Sequence, residues 1–403
     1  MSEPLKRRIG LGLLTAYGIG VMVGAGIYVL VGAVVAEAGA LAPLAFLLAG
    51  AIAAPTALSY GEFSSRLPEA AGEAAYVGQG FSSQKIAIFV GLAVVLAGTV
   101  SAGAVLRGGA GYLAAATGIN AQVAILGMGV ALVLVALVGV LESFALVALF
   151  TLIELFGLGL VIWAGFSTQS SSDWQQLAPL ADLLSGPGVL TGIALGSVLA
   201  FFAFIGFEDI VNMAEEVRNP TRVVPRAVVI SLAVTSLIYA LVCWAAVRAV
   251  PLDALAQSQS PLALVWQQAQ GGNARFLSAI AVFAALNGVL AQIVMASRVL
   301  FGLGGKSAGL AMFHHAHPRF GTPVRATILI GVAVVLASYL VPLAQLAELT
   351  SATLLGVFVL VNLALILQKR RQPDAPFRVP TWVPVLGLVL SFVAFATALG
   401  GLL

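Results

Sequence analysis

The groups best placed to do chemistry in this chain are backbone groups. Gly18-Ile19-Gly20-Val21-Met22-Val23-Gly24-Ala25-Gly26-Ile27-Tyr28 lies inside a long apolar run, and so does Phe201-Phe202-Ala203-Phe204-Ile205-Gly206-Phe207-Glu208. Gly costs roughly 1 kcal/mol per position against Ala in a helix interior. Gly20, Gly24 and Gly26 fall within seven residues, so the first helix is expected to break there. A helix restarting at Gly24-Ala25-Gly26 presents unpaired N–H groups and the positive end of its dipole, a site for a carboxylate. Half-helices ending near Met22 and near Ile205 present free carbonyls, which suit an ammonium group. Both poles in one site fit a zwitterion. The competing reading is that the glycines only let helices pack closely.

Ionisable side chains inside apolar runs are the second set. Glu208 follows the second break directly and Glu154 sits mid-run in Thr151-Leu152-Ile153-Glu154. An acid at membrane depth costs ~2.5–3.5 kcal/mol on the insertion scale and is a functional candidate for that reason. Either acid could carry a proton. Equally, Glu208 could tie down loose backbone, and Glu154 could be a structural acid. Arg107 reads as a side chain snorkelling to the interface or as half of a gating ion pair with an acid such as Glu208. Glu62 reads as a structural acid at a helix end. His314, His315 and His317 read as a polar loop, because no further metal ligand is near.

These residues must be held by membrane helices. The chain has 403 residues, 61% of them hydrophobic and 9% charged, with mean hydropathy +1.07, whereas soluble domains run near 25% charged. Its pI near 9.2 reflects basic residues in loops between apolar runs and does not point to nucleic acid. The single cysteine, Cys243, excludes an intrachain disulfide. Eleven spans are expected, at 11–36, 41–65, 85–114, 121–141, 143–166, 189–214, 227–249, 276–303, 325–342, 347–367 and 382–402. The run from Leu11 to Ala36 is too long for a signal-peptide core and is read as a retained anchor. Lysines and arginines crowd alternate loops, which places the N-terminus in the cytoplasm and the C-terminus on the outer face.

The breaks fall in spans one and six, so the spans divide into two halves, 9–166 and 190–368, with 382–402 as an additional helix. Five spans per half is odd, so the halves are inverted. The expected fold is an all-α polytopic membrane protein, residues 1–403, with the five-plus-five inverted repeat of leucine-transporter-like proteins. Paired breaks in corresponding spans point to the substrate site of a secondary transporter.

The motifs agree. Gly18-x-Gly20 with Gly24-Ala25-Gly26-Ile27 resembles the first-helix signature of amino acid permeases of the amino acid–polyamine–organocation superfamily. Ala57-Leu58-Ser59-Tyr60-Gly61-Glu62-Phe63, with Pro68, Gly72 and Tyr76, is similar to the second-helix signature. Phe201 to Glu208 and then Ala214-Glu215-Glu216-Val217-Arg218-Asn219-Pro220 resemble the sixth. His317-Pro318-Arg319-Phe320-Gly321-Thr322-Pro323-Val324-Arg325 resembles the loop before the ninth, and Phe377-Arg378-Val379-Pro380 a late loop of cationic amino acid transporters and bacterial relatives. The resemblance implies that Ala97, Gly98, Ser101 and Ala102 wall the substrate pocket. It also implies that carbonyls of Phe202 and Ile205 join that of Met22 at the ammonium, with Ala203, Phe204 and Phe207 close by, and that Glu154 lies beside helices one and eight. Most relatives have twelve spans or more. Many carry a hydroxyl residue where this chain has Ala25, some a lysine at the position of Glu154, and arginine/agmatine antiporters a tryptophan near Val289.

The expected activity is amino acid transport by alternating access, with proton-coupled uptake. Amino acid/polyamine exchange, or a transport-inactive sensor on the same fold, is the alternative. No enzyme chemistry, metal or cofactor is expected beyond a coupling proton. The expected partners are an amino acid or related amine and the bilayer of the cytoplasmic membrane, with no nucleic acid. The oligomeric state is left open.

Overall fold

The computed structural model describes residues 9–67, 72–138, 144–171, 188–213, 217–317 and 322–402. Pro68, Ala214-Glu215-Glu216 and Pro318 to Gly321 from the motifs above lie outside these residues, as do the basic Lys6, Arg7 and Arg8 ahead of the first expected span and the stretch 139–143 between the fourth and fifth. Nearly all of the rest is helix: α1 (Leu11–Val23), α2 (Ala25–Ala38), α3 (Ala42–Arg66), α4 (Gly72–Phe81), α5 (Gln84–Thr117), α6 (Ala121–Val138), α7 (Phe144–Ser167), α8 (Val189–Phe201), α9 (Asp209–Asn212), α10 (Pro220–Ala249), α11 (Leu252–Gln257), α12 (Pro261–Gln270), α13 (Arg275–Gly304), α14 (Val324–Leu340), α15 (Leu343–Arg371) and α16 (Trp382–Leu402).

This is a multi-pass membrane protein. Among the described residues, nine helical stretches are long and apolar enough to cross a bilayer, and Leu11–Val23 and Val324–Leu340 are shorter apolar helices. One of the nine, Gly26–Arg66, holds both α2 and α3. Their outer faces carry exposed Phe89, Leu152, Phe156, Phe283 and Leu340. Such a face suits lipid, since helices satisfy their own backbone groups there.

Packing sorts the long helices into two groups. In one, α3 packs along α10, α1 along α10, and α8 along both α2 and α3. A parallel bridge between Ile9 and Val217 ties the start of α1 to the chain just beyond α9. In the other, α5 packs along α13, and α14 packs along α5 and α6. Small residues set the approach of α5 to α13: a Cβ on Gly98 would meet Gln292 Oε1 and Met295 Cε at 3.0 Å. Helices α7 and α15 flank the two groups, and α16 packs on α15 and α3.

Candidate functional site: a cavity between two broken helices

The first break is at a single residue. Helix α1 ends at Val23, Gly24 leaves the helical region with φ −28° and ψ −161°, and α2 starts at Ala25. No side chain caps α2, so the N–H groups of its first turn remain available. Gly18 and Gly20 have a different task. A Cβ on Gly18 would collide with Ile210 and Ser231, and one on Gly20 with Thr151. They are packing positions, whereas the break itself falls at Gly24.

The second break is longer. Helix α8 ends at Phe201, a 3-10 turn covers Phe202–Phe204, Ile205 is extended and Gly206 takes φ +118°. Only glycine suits that conformation, and a Cβ there would stand 2.6 Å from Val21 Cγ1. On the other side, a Cβ on Gly26 would stand 3.0 Å from Ala203 Cα. The two breaks are thus pressed against each other, glycine to backbone. Tyr239 of α10 joins them: its hydroxyl bonds the carbonyl of Met22 and donates to that of Ala203 at 2.9 Å. Of the carbonyls expected at the ammonium pole, Met22 O is therefore shared with Tyr239, and Phe202 O accepts Ile205 N at 3.2 Å. Ile205 O accepts no hydrogen bond among the described residues.

A cavity of about 450 Å³ opens on both breaks. Met22, Gly24 and Gly26 line it from the first span, Phe202, Ala203 and Ile205 from the second, and Ser101 from α5. Asn287, Gln292 and Arg298 of α13 form the facing wall. A second hollow of about 150 Å³ shares Ser101, Ile205, Asp209 and Gln292 with it, and adds Ala97, Gly98, Glu208 and Glu73. The cavity runs from the breaks toward the end where α1 begins and α13 finishes. At the other end Ile27, Tyr28, Leu30 and Val31 are fully buried. There Tyr112 donates from its hydroxyl to Tyr28 O at 2.7 Å and accepts from Leu262 N at 3.2 Å, so α12 seals that end.

Not every expected residue reaches the cavity. Ala102 is fully buried in the packing of α5. Phe204 packs on Tyr239, with ring centroids 5.2 Å apart, and Phe207 on Tyr60 and Phe358. These two aromatics support the break from behind. Arg107 donates to Ser338 O at 2.7 Å and to Tyr339 O. It thereby neutralises the carbonyl end of α14, and no ion pair joins it to Glu208 among the described residues. Glu208 accepts from Gly206 N at 2.9 Å while also facing the smaller hollow. Glu154 is buried, its carboxyl without a donor among the described residues, and its backbone carbonyl accepts from the Tyr28 hydroxyl at 2.8 Å. Glu73, on the short helix between the second and third spans, has its carboxyl pushed up by burial, opposed by hydrogen bonds that include one from the Tyr60 hydroxyl.

Sequence reasoning missed Tyr239, Asp209 and the polar face of α13. The last left a partial signal: Asn287 and Arg298, eleven residues apart, fall on one helical face of an otherwise apolar run. Tyr239 carried no such signal.

The family model described as "Amino acid permease" matches residues 9–401. The branched-chain amino acid permease BcaP of Bacillus subtilis (strain 168) is 32% identical over 227 residues, 55% of this chain and 47% of the relative. A vacuolar cationic amino acid transporter 4 of Arabidopsis thaliana is 30% identical over 351 residues, 82% of this chain and 58% of the relative. The methylthioribose transporter of B. subtilis is 28% identical over 378 residues, 87% of this chain and 79% of the relative. The chain spans 47% to 59% of the length of the first three relatives it matches. All are named as permeases or transporters. With the match running almost from end to end, the chain belongs to the amino acid permease family.

Proposed function

We propose that this protein is a secondary transporter that carries an amino acid, or a related amine, across the cytoplasmic membrane by alternating access. The observation that carries the reading is the juxtaposition of two non-helical breaks on one cavity. The substrate α-carboxylate would rest on the N–H groups at Gly24, Ala25 and Gly26. The ammonium would face the carbonyl of Ile205, with those of Met22 and Phe202 beside it. Ala97, Gly98 and Ser101 are small and the cavity holds about 450 Å³, within the range of small-molecule sites, so a sizeable neutral side chain fits. The carboxylates of Glu208 and Asp209 beside it favour, as a second reading, a side chain bearing an amine. The relatives' names differ in substrate and do not choose between the two.

Supporting the five-plus-five repeat, spans one and six are broken, and each of the first four spans packs on the one five places later: α2 on α8, α3 on α10, α5 on α13, α6 on α14. On this reading residues 9–166 and 190–368 are the inverted halves, and the basic loops place the cavity's open end in the cytoplasm. With that orientation the cavity would open inward. The coupling ion is a proton and Glu154 its carrier.

A thermal-shift screen of the twenty amino acids and common polyamines tests the binding reading. A bound ligand stabilises by about 2.7 kcal/mol at a hundred times its Kd. One or more amino acids should raise the Tm, and Gly206→Ala or Gly26→Val should remove that shift while the protein still inserts and purifies. At Gly206 the added Cβ faces a positive φ, worth ~1–3 kcal/mol, as well as Val21. Retained affinity in both variants would overturn the assignment of the poles.

A further inference from the structure

Two opposite charges face one another across the cavity without a partner. Arg298, on α13, is exposed to it, and Asp209, at the start of α9, lines both hollows. Neither side chain makes an ion pair or a hydrogen bond among the described residues. The other acids at this mouth are engaged: Glu208 accepts from Gly206 N at 2.9 Å, and Glu73 lies 3.5 Å from the Tyr60 hydroxyl. Tyr17, from α1, lines the same cavity. Asp209 therefore stands out as the carboxylate free to pair.

The two residues also belong to different packing groups. Asp209 follows the second break on α9, which packs chiefly on α1 and α10, and less on α3 and α4. Arg298 belongs to α13, which packs along α5. In alternating access one such group rocks against the other around a fixed site. Rocking that narrows this mouth shortens the distance between the two side chains and withdraws them from water. Their attraction then rises as the local dielectric falls. An unpaired arginine and an unpaired aspartate on facing, separately packed walls are what an open latch looks like.

We propose that Arg298 and Asp209 form an ion pair that closes the open mouth of the cavity, read above as the inner one, and that the pair is broken in the open state of this structure. The inference rests on the alternating-access reading above and adds the contact that stabilises the other state.

Site-directed labelling tests it. Cys243, the lone cysteine, is replaced by alanine, and Ala291→Cys places a thiol on the cavity wall of α13. Labelling by a membrane-impermeant maleimide is measured in right-side-out and inside-out vesicles. Arg298→Ala and Asp209→Asn should each raise the ratio of inside to outside labelling by about fivefold or more, the lower end of typical coupling between sites. The double variant should match the single ones, and Arg298→Asp with Asp209→Arg should restore the parent ratio. Thermal shifts with an amino acid that binds the parent confirm that each variant is folded. A parent whose labelling never changes side on adding substrate counts against alternating access itself. A parent that does change side, with single variants indistinguishable from it or with effects that add in the double, overturns the latch alone.

Discussion

Two clusters of charge sit at the same end of this molecule and are built in opposite ways. In one, Glu62 at the end of α3 is fully buried and every neighbour serves it. Lys369 Nζ lies 2.6 Å from Oε2, Arg66 Nη2 2.6 Å from Oε1, and Val379 N donates to Oε2 at 2.9 Å. Lys369 also donates to Val379 O at 2.7 Å, and Arg66 to Gln372 O at 2.8 Å. This knot pins the chain between α15 and α16 onto α3. In the other, Asp209 and Arg298 face a cavity and pair with nothing among the described residues. A charge whose partners are all in place holds one geometry. Charges left open on separate walls are compatible with two. On the alternating-access reading, the first cluster belongs to the fixed part of this end and the second to the part that would move.

The largest effect should come from the fixed cluster. Glu62→Gln strands Lys369 and Arg66 against a neutral group in a buried setting, and breaking a buried pair on one side costs ~3–5 kcal/mol. Thermal unfolding in detergent should show a large loss of Tm. Asp209→Asn, with no partner to strand, should stay within about 0.5 kcal/mol of the parent, as surface changes do. Equal losses at the two sites would erase the distinction.

Tyr239 lies between these extremes, because its hydroxyl is fully bonded yet sits at the breaks. Tyr239→Phe keeps the ring against Phe46 and Phe204 and removes the bond shared by Met22 O and Ala203 O. Leaving buried carbonyls unserved costs ~1–3 kcal/mol, less than at Glu62. The same change frees the two breaks from each other, so substrate affinity should fall along with stability. A variant that loses stability but binds as the parent does would make Tyr239 a packing residue only.

Much of this arrangement could be read from the residues. Period and length gave the helices, and glycine gave the interruptions at Gly24 and Gly206, because a missing Cβ has local consequences. The small wall at Ala97, Gly98 and Ser101 was legible by resemblance. What the chain hid were relations between distant segments. Nothing local says that Tyr239 reaches two carbonyls on two other spans, that Phe204 and Phe207 turn away from the cavity, or that Arg107 ends on the carbonyls of Ser338 and Tyr339. Glu62 looked like an ordinary acid at a helix end; its weight comes from Lys369, 307 residues away in sequence. Side-chain direction within a helix and pairing between helices are set by tertiary packing, which a one-dimensional pattern reports only where it is periodic.

The smallest effect on stability, and the most specific one on function, is expected at Glu154. Its carboxyl is buried like that of Glu62 but has no donor among the described residues, so Glu154→Gln strands no partner and should move the Tm far less than Glu62→Gln does. Its place is nevertheless connected. The Tyr28 hydroxyl holds the Glu154 carbonyl, and Tyr28 O in turn accepts from Tyr112, at the sealed end. The first of these bonds joins the backbone at Glu154 to α2, the helix whose first turn would hold the substrate on the proposed reading. One proton moving inward contributes ~2.3 kcal/mol per 100 mV of membrane potential. Uptake into vesicles by the parent should rise as the outside is acidified and should proceed without sodium. Glu154→Gln should bind substrate as the parent does, and its uptake should no longer respond to pH. Unchanged pH dependence in that variant moves the role to Glu208 or removes it from the acids altogether, and an absolute need for sodium ends the proton reading.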